Sequence, residues 1–386
     1  MPWPTPSLMS LRLDFVLRAD HPDANVAALA RAAGIARSTA HKWLRRHRDG
    51  LPLDDRTRRP LASPTRTPTH LEDAVLRIRD DHPAWGGRKI AAVLRRAHPD
   101  APAPSTVTGI LRRHGRLPAA APPRDHVRFE AAAPNELWQM DFKGDFLLGD
   151  RTRCYPLTIC DDHSRFALVL AACADQRRAT VAGHLTAAFE AHGLPARILC
   201  DNGPPWGCAW EEDGLGRWRP RCTRLAAWLI RRGVGVVHGR PYHPQTQGKE
   251  ERFHRTLREE VLDAYGGGGG FADRAACQAA LDAWRGVYNS ERPHEALALA
   301  VPAARYRAGG PPYARSSSEP AVSYEPGVVV RRVDGGGRIA LAGRSVRVGK
   351  GLAGEAVGLR PGPVDGTWTV WYGSQEVWAV SLRAPP

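Results

Sequence analysis

Apolar positions change their rhythm twice along this chain. Up to about residue 117 they recur at helical spacing. Val26–Ala33 is a short amphipathic run that Gly34 stops; Ile35 then turns inward, and Ser38 can cap a second helix with Ala40, Trp43 and Leu44 on its apolar side. Ala30, four residues before Gly34, suits a tight corner between two helices. A second helical group follows: Leu71–Arg79, a break at Trp85-Gly86-Gly87, Ile90–Ala97, and a helix from Ser105 or Thr106 through Ile110, Leu111 and Arg113. Two polar, proline-bearing stretches, 54–68 and 118–126, read as linkers around it.

From Glu136 the period falls to two. Leu137–Phe142 alternates, with Trp138, Met140 and Phe142 on one face and Asp141 on the other. Cys154–Cys160 and Phe166–Ala172 are further strands, divided by a turn at Asp161–Arg165. Arg177–His192 is helical, Ala196–Cys200 a strand that ends at Asp201, Leu225–Arg231 a helix, Val234–His238 a strand and Gly248–Leu262 a helix. That order predicts a ribonuclease H-like α/β core over 127–308, closed by the Gly266–Gly270 loop and a helix over Ala275–Asn289. After a linker at 309–320, alternating runs such as Gly327–Val333, Arg344–Val348 and Thr367–Tyr372 predict a small SH3-like β-barrel over 321–386. The expected molecule is a multidomain α/β protein: a helix-turn-helix module (1–53), a winged-helix-like module (69–117), the core and the barrel.

Charge sharpens this picture. The net charge is +15, and +10 of it falls within residues 1–126, ahead of a nearly balanced core. Arginine supplies 50 of the 55 basic residues, as a GC-rich coding bias would, but such bias does not explain the segregation. A basic helical arm before a neutral core fits binding to a polyanion. In a helix-turn-helix, Ser38, Thr39, Lys42, Arg45 and Arg46 would face the DNA groove and its phosphates; a plain helical hairpin fits the pattern too. Arg88 and Lys89, with Arg112 and Arg113, are phosphate candidates in the second module. The seven cysteines form no CxxC pair and read as free thiols of a reducing cytosol. No apolar run of roughly 18 residues occurs, and Met1-Pro2-Trp3-Pro4 lacks a basic-then-apolar leader, so a soluble protein with no membrane partner is expected.

Three carboxylates carry the candidate chemistry. Asp141 and Asp201 end apolar strands, and Glu251 opens a helix. Hard oxygen ligands on two strands and a helix can converge on a pair of divalent cations and activate an oxygen for in-line attack on a phosphodiester. Each has a plainer reading: Asp141 as a strand end satisfied by local N–H groups, Asp201 as an Asx-turn before Gly203. Asp161 and Asp162 read as turn-shaping residues. Glu250 and Glu251 are neighbours about 100° apart on a helix, so only one can face the cations. Gln247, His254, Arg255 and Arg258 lie near the Glu251 side and, with Lys249, are candidate phosphate contacts; a solvated basic face is the alternative.

The segments WQMDFKG (138–144), DDHSRF (161–166), DNGPPW (201–206), HPQTQGKEERFHRTLREE (243–260) and YNSERPHEAL (288–297) together resemble insertion-sequence transposases of the DDE class, which have a retroviral-integrase-type core. GIARSTAHKWL (34–44) and HPAWGGRKI (82–90) resemble the helical modules of that family. The resemblance implies binding to the terminal inverted repeats of a mobile element, cleavage at its ends and joining of 3′ OH ends to target DNA. It implies a catalytic triad of Asp141, Asp201 and Glu251, the last selected by the QGKxER pattern, with two Mg²⁺ or Mn²⁺ ions per site. It also implies double-stranded DNA as partner, a homo-oligomeric synaptic complex, and a bacterial, cytoplasmic, nucleoid-associated protein. A catalytically silent DNA-binding regulator of the same descent is the alternative. The second and third acids lie 50 residues apart, more than in many such cores, and Trp206–Arg221 reads as a surface excursion that absorbs the surplus.

Overall fold

A computed structural model describes residues 7–55, 66–117, 130–203, 205–207, 210–239, 248–268, 270–316 and 319–383. The chain divides into two compact units, Met1–Arg66 and Thr67–Pro386.

The first unit is a three-helix module: α1 (Leu8–Ala19), α2 (Val26–Ala32) and α3 (Arg37–Arg48). Its core gathers Phe15, Val16, Ala30, Ala40, Trp43, Leu44 and Leu53. Gly34 turns the corner at φ +66°, a left-handed conformation that favours glycine. Ala30 is 2% exposed, and its carbonyl accepts from Ile35 N at 3.0 Å, as a tight corner requires. Sequence reading missed α1, whose exposed leucines blur its period. It also placed a cap on Ser38, which lies inside α3; the N-cap is Ala36, without a side-chain bond.

The second unit opens with α4 (Thr69–Asp81), α5 (Gly87–Ala97) and α6 (Pro104–Arg113) around Val75, Trp85, Ile90, Leu94, Val107, Ile110 and Leu111. A Cβ on Gly87 would stand 2.2 Å from Thr108 Oγ1, so glycine is what lets α5 and α6 approach. The bundle packs onto the α/β core: Val287 joins its apolar cluster, and Arg96 Nη1 donates to Glu291 O at 3.2 Å.

The core sheet contains β1 (Leu137–Phe142), β2 (Phe146–Leu147), β3 (Arg153–Asp161), β4 (Ala167–Cys173), β5 (Arg197–Cys200) and, beyond the hairpin of β6 (Trp210–Glu212) and β7 (Trp218–Pro220), β8 (Gly235–His238). Its order is β2-β3-β1-β5-β8, with β4 also on β3. β3 runs antiparallel to β1 and β4, whereas β1, β5 and β8 are parallel. This is the ribonuclease H-like layout. Helices α7 (Arg178–His192) and α8 (Arg224–Arg231) contribute apolar residues to a cluster with Trp138, Met140, Leu157 and Ile198. Helix α9 (Gly248–Leu257) and its wider continuation Arg258–Leu262 pack with α10 (Arg274–Ser290) through Phe253, Leu257, Leu281, Trp284 and Tyr288.

The C-terminal part is β9 (Val329–Arg332), β10 (Arg338–Leu341), β11 (Arg344–Arg347), β12 (Ala356–Pro361), β13 (Thr367–Tyr372) and β14 (Gln375–Ser381). It is an all-β domain, but not the closed barrel expected: a four-stranded sheet β14-β13-β12-β9 and a separate β10-β11 hairpin. Instead of closing on itself, the sheet shares the core's apolar cluster, adding Val357, Val370, Tyr372 and Trp378 to Trp206, Leu225 and Ile230. The Gln375 side chain bonds both Val236 N and Val236 O at 2.9 Å, which satisfies the outer edge of β8.

Among the described residues no helix is long and apolar enough to cross a membrane.

Candidate active site

Register brings two acids together. Met140 pairs with Cys200 across parallel β1 and β5. The next residues, Asp141 and Asp201, therefore stand side by side at the carboxyl ends of adjacent strands, where open α/β sheets place their sites. The Asp141 carboxyl is pushed up to about 7, first by burial and then by the Asp201 charge. Its Oδ1 accepts from Phe142 N at 2.8 Å. Asp201 Oδ1 accepts from Gly203 N at 2.8 Å, an Asx-turn, and also from the Trp206 indole N–H. The plainer reading of Asp201 and its chemical one thus coexist in one side chain.

On helix α9 it is Glu250, not the expected Glu251, that turns inward. Glu250 is 3% exposed, and its carboxyl is raised to about 8 by burial and then by Asp141. Thr158 Oγ1 lies 3.0 Å from Glu250 Oε2, 3.0 Å from the Asp141 carbonyl and 2.9 Å from His254 Nε2. Glu251, the next residue, is exposed. Among the described residues no set of three carboxylate, imidazole or thiolate groups converges on one point. The donors that do meet, Asp141 and Asp201, are hard oxygens whose repulsion a divalent cation would relieve, so they fit Mg²⁺ or Mn²⁺.

The other candidate residues fall in several settings. His254 turns inward, with Nδ1 3.8 Å from Asp141 Oδ2, and burial pushes its imidazole down to about 3. Lys249 ion-pairs with buried Asp162, which also accepts from Gln139 Nε2 and from Ala131 N at 2.6 Å. Asp161 accepts from Asn135 N and Ser164 N at 2.8 Å, so both acids shape the β3–β4 turn. Arg255 and Arg258 are exposed; Gln247 lies outside the described residues. On α3, Ser38, Lys42 and Arg45 are exposed and Thr39 half-buried. Arg46 is buried, donating to Asp54 O at 3.0 Å beside Trp43. A depression of about 500 Å³ runs along this helix between Ser38, His41, Lys42, Arg45 and Arg48. Arg88 is exposed, 3.9 Å from Glu295, whereas Lys89 is half-buried, with burial as the main cause of its pKa falling to about 8.

Sequence reasoning set Glu250 aside in favour of Glu251, and it missed Thr158 and the contact of Trp206. Trp206 was visible inside DNGPPW, but nothing in spacing reveals that an indole N–H reaches Asp201.

Comparison with known proteins adds a second line. The integrase core domain profile matches residues 131–244, and a second integrase core profile matches 232–302. The C-terminal domain of IS481 family transposases matches 328–385, and a homeodomain-like domain matches 39–111. The uncharacterized 31.7 kDa protein of insertion element IS407 from Burkholderia multivorans is 30% identical over 180 residues, 46% of this chain. That match spans 58% of the relative's own length. The uncharacterized 39.2 kDa protein of insertion element IS476 from Xanthomonas euvesicatoria is 24% identical over 314 residues, 77% of this chain and 84% of its own. Among solved structures, a chain of the simian T-cell lymphotropic virus intasome aligns over 81% of this chain and 100% of its own, with TM-score 0.37 and 15% identity. The fold assignment rests on the strand order, not on that superposition. Matches to a homeodomain-like domain, an integrase core and an IS481-type C-terminal domain, together with the insertion-element relatives, make this chain similar along most of its length to insertion-sequence DDE transposases with an integrase-type core.

Proposed function

We propose that this protein binds the terminal inverted repeats of an insertion sequence, cleaves at its ends and joins the 3′ OH ends to target DNA. The observation that carries the reading is the pairing of Asp141 and Asp201 at the ends of β1 and β5, with Asp141 raised by burial and by its neighbour. Asp141, Asp201 and Glu251 would hold two Mg²⁺ or Mn²⁺ ions. Bound there, the ions would supply an activated oxygen nucleophile and charge stabilisation for the leaving 3′ oxygen. The protein's own part is to keep the acids together and orient the scissile strand.

The exposed polar and basic side chains of α3, Ser38, Lys42 and Arg45, support duplex binding, and Arg88, Arg255 and Arg258 suit phosphate contacts. A homo-oligomer holding two ends follows from the task, since one site handles one strand at a time. Purified protein should nick duplexes carrying the inverted repeats that flank its gene when Mg²⁺ is added. Asp141→Asn, Asp201→Asn and Glu251→Gln should each abolish nicking while retaining the same DNA. Full nicking by any one of them removes that residue from the triad; intact binding without nicking by the wild type points to a silent regulator.

A further inference from the structure

The stretch between Asp201 and Glu251 contains a hairpin, and its contacts are not those of a surface excursion. Trp206, 3% exposed, donates its indole N–H to Asp201 Oδ1, the oxygen that also accepts from Gly203 N. The same ring stacks on Phe142, centroids 5.1 Å apart and planes 18° apart, directly after Asp141. One indole therefore touches both strands that carry the paired acids. Trp210, at the start of β6, donates to Asn202 Oδ1 at 2.8 Å, and Asn202 Nδ2 reaches Gly239 O at 2.9 Å.

The far end of the hairpin is held by the C-terminal sheet. Gly214 N donates to Ala379 O at 3.0 Å, and a Cβ on Gly214 would stand 2.3 Å from Val380 C. Arg217 and Arg219 both ion-pair with Glu376, and Arg221 lies 3.9 Å over the Trp378 ring.

We propose that Trp206 and the β6–β7 hairpin are a positioning element for the metal-binding carboxylate of Asp201, braced from behind by the C-terminal sheet through Glu376. Two donors commit Oδ1 and hold the carboxylate plane in one orientation. Loss of a group that orients a metal ligand in this way typically costs about 10–100-fold in ion affinity. The C-terminal sheet thereby acts on the active site as well as adding surface. The inference rests on the active-site reading above.

The test is Mn²⁺ binding to the full-length protein, followed by the loss of the free-ion electron paramagnetic resonance signal, with cleavage measured alongside. Asp201→Asn controls for the site itself. Trp206→Phe keeps the ring stack and removes only the donor. It should weaken Mn²⁺ binding by roughly tenfold or more, leave the circular dichroism spectrum unchanged and let excess Mn²⁺ restore cleavage. Glu376→Ala should shift affinity in the same direction by less. Wild-type affinity in Trp206→Phe, with binding lost in Asp201→Asn, overturns the proposal and spares the site. Unchanged binding in both overturns the site reading and the proposal with it. Wild-type affinity in Glu376→Ala alone overturns the bracing by the C-terminal sheet. Should Trp206→Phe fail to fold, Trp210→Phe, which removes only the Asn202 bond that anchors the hairpin, should weaken Mn²⁺ binding by less, and wild-type affinity in it overturns the role of the hairpin.

Discussion

Glu250 and Glu251 are neighbouring acids in opposite settings on one helix, one buried and one exposed. Glu250 sits against Thr158 with its carboxyl raised to about 8, so it is largely uncharged at neutral pH. A glutamine there keeps the shape and the neutral state. Glu251, exposed at the start of α9, is free to meet a cation. Glu250→Gln should therefore keep the fold and most of the cleavage activity. Glu251→Gln should lose more than about 100-fold, because even groups that merely support a ligand cost 10–100-fold. Steady cleavage rates of the two variants decide this, and the reverse ranking would make Glu250 the ligand. The motif pointed to Glu251, but burial of its neighbour was not legible: a glutamate normally reads as surface, and the packed Thr158, Cys160 and His254 make a buried one tolerable.

At the scale of elements, strands and helices of the core were legible because their periods are clean, and the pairing of Asp141 with Asp201 followed from two strand ends. Docking was not legible. The 309–320 stretch looked like a linker, yet Leu194 N donates to Pro311 O at 3.0 Å and Arg315 ion-pairs with Glu190, along the end of α7. Lys89 looked like a phosphate contact, yet α5 turns it towards Arg292, Glu260 and Glu295. The register of the side chain on its helix, not its charge, decides this. Burial lowers the folded-state pKa of Lys89 from 10.5 to about 8, so the folded state binds fewer protons than the unfolded one between those values. The stability this group contributes is complete above about pH 10.5 and lost as pH falls through about 8. Lys89→Met should thus stabilise the protein at pH 7, by on the order of 3 kcal/mol at most, with the gain fading by pH 10.5. Urea unfolding of both proteins across that range measures it; a gain independent of pH would show that packing, not charge, is responsible.

A second element-scale expectation concerns the seam between β8 and the C-terminal sheet. Gln375→Ala removes both bonds to Val236 and leaves its backbone groups without those partners. The cost should be about 1–3 kcal/mol, read from thermal unfolding. No change in stability would mean that water replaces the amide at this edge.

Across the whole molecule, the second unit joins three parts that the sequence presents as beads on a string. The helical bundle of α4–α6 leans on α10, and the C-terminal sheet shares its apolar cluster with the catalytic core. Linker-like composition misled here because proline and small polar residues also line seams between packed domains. The barrel expectation failed for a related reason: alternation reveals that a strand has one buried face, but not whether its partner layer is the same sheet or a neighbour's α8. The charge asymmetry of the sequence, by contrast, translates into the exposed polar and basic face of α3.

Asp141 and Asp201, at the ends of β1 and β5, are proposed to make this chain a DNA-joining enzyme. The most direct measurement uses a labelled duplex ending in the element's inverted repeat, a supercoiled target plasmid, Mg²⁺ and either wild-type protein or Asp141→Asn. The account predicts labelled end covalently joined to plasmid with the wild type, and none with Asp141→Asn although the variant retains the labelled duplex equally well. Joining by Asp141→Asn at the wild-type level would contradict it.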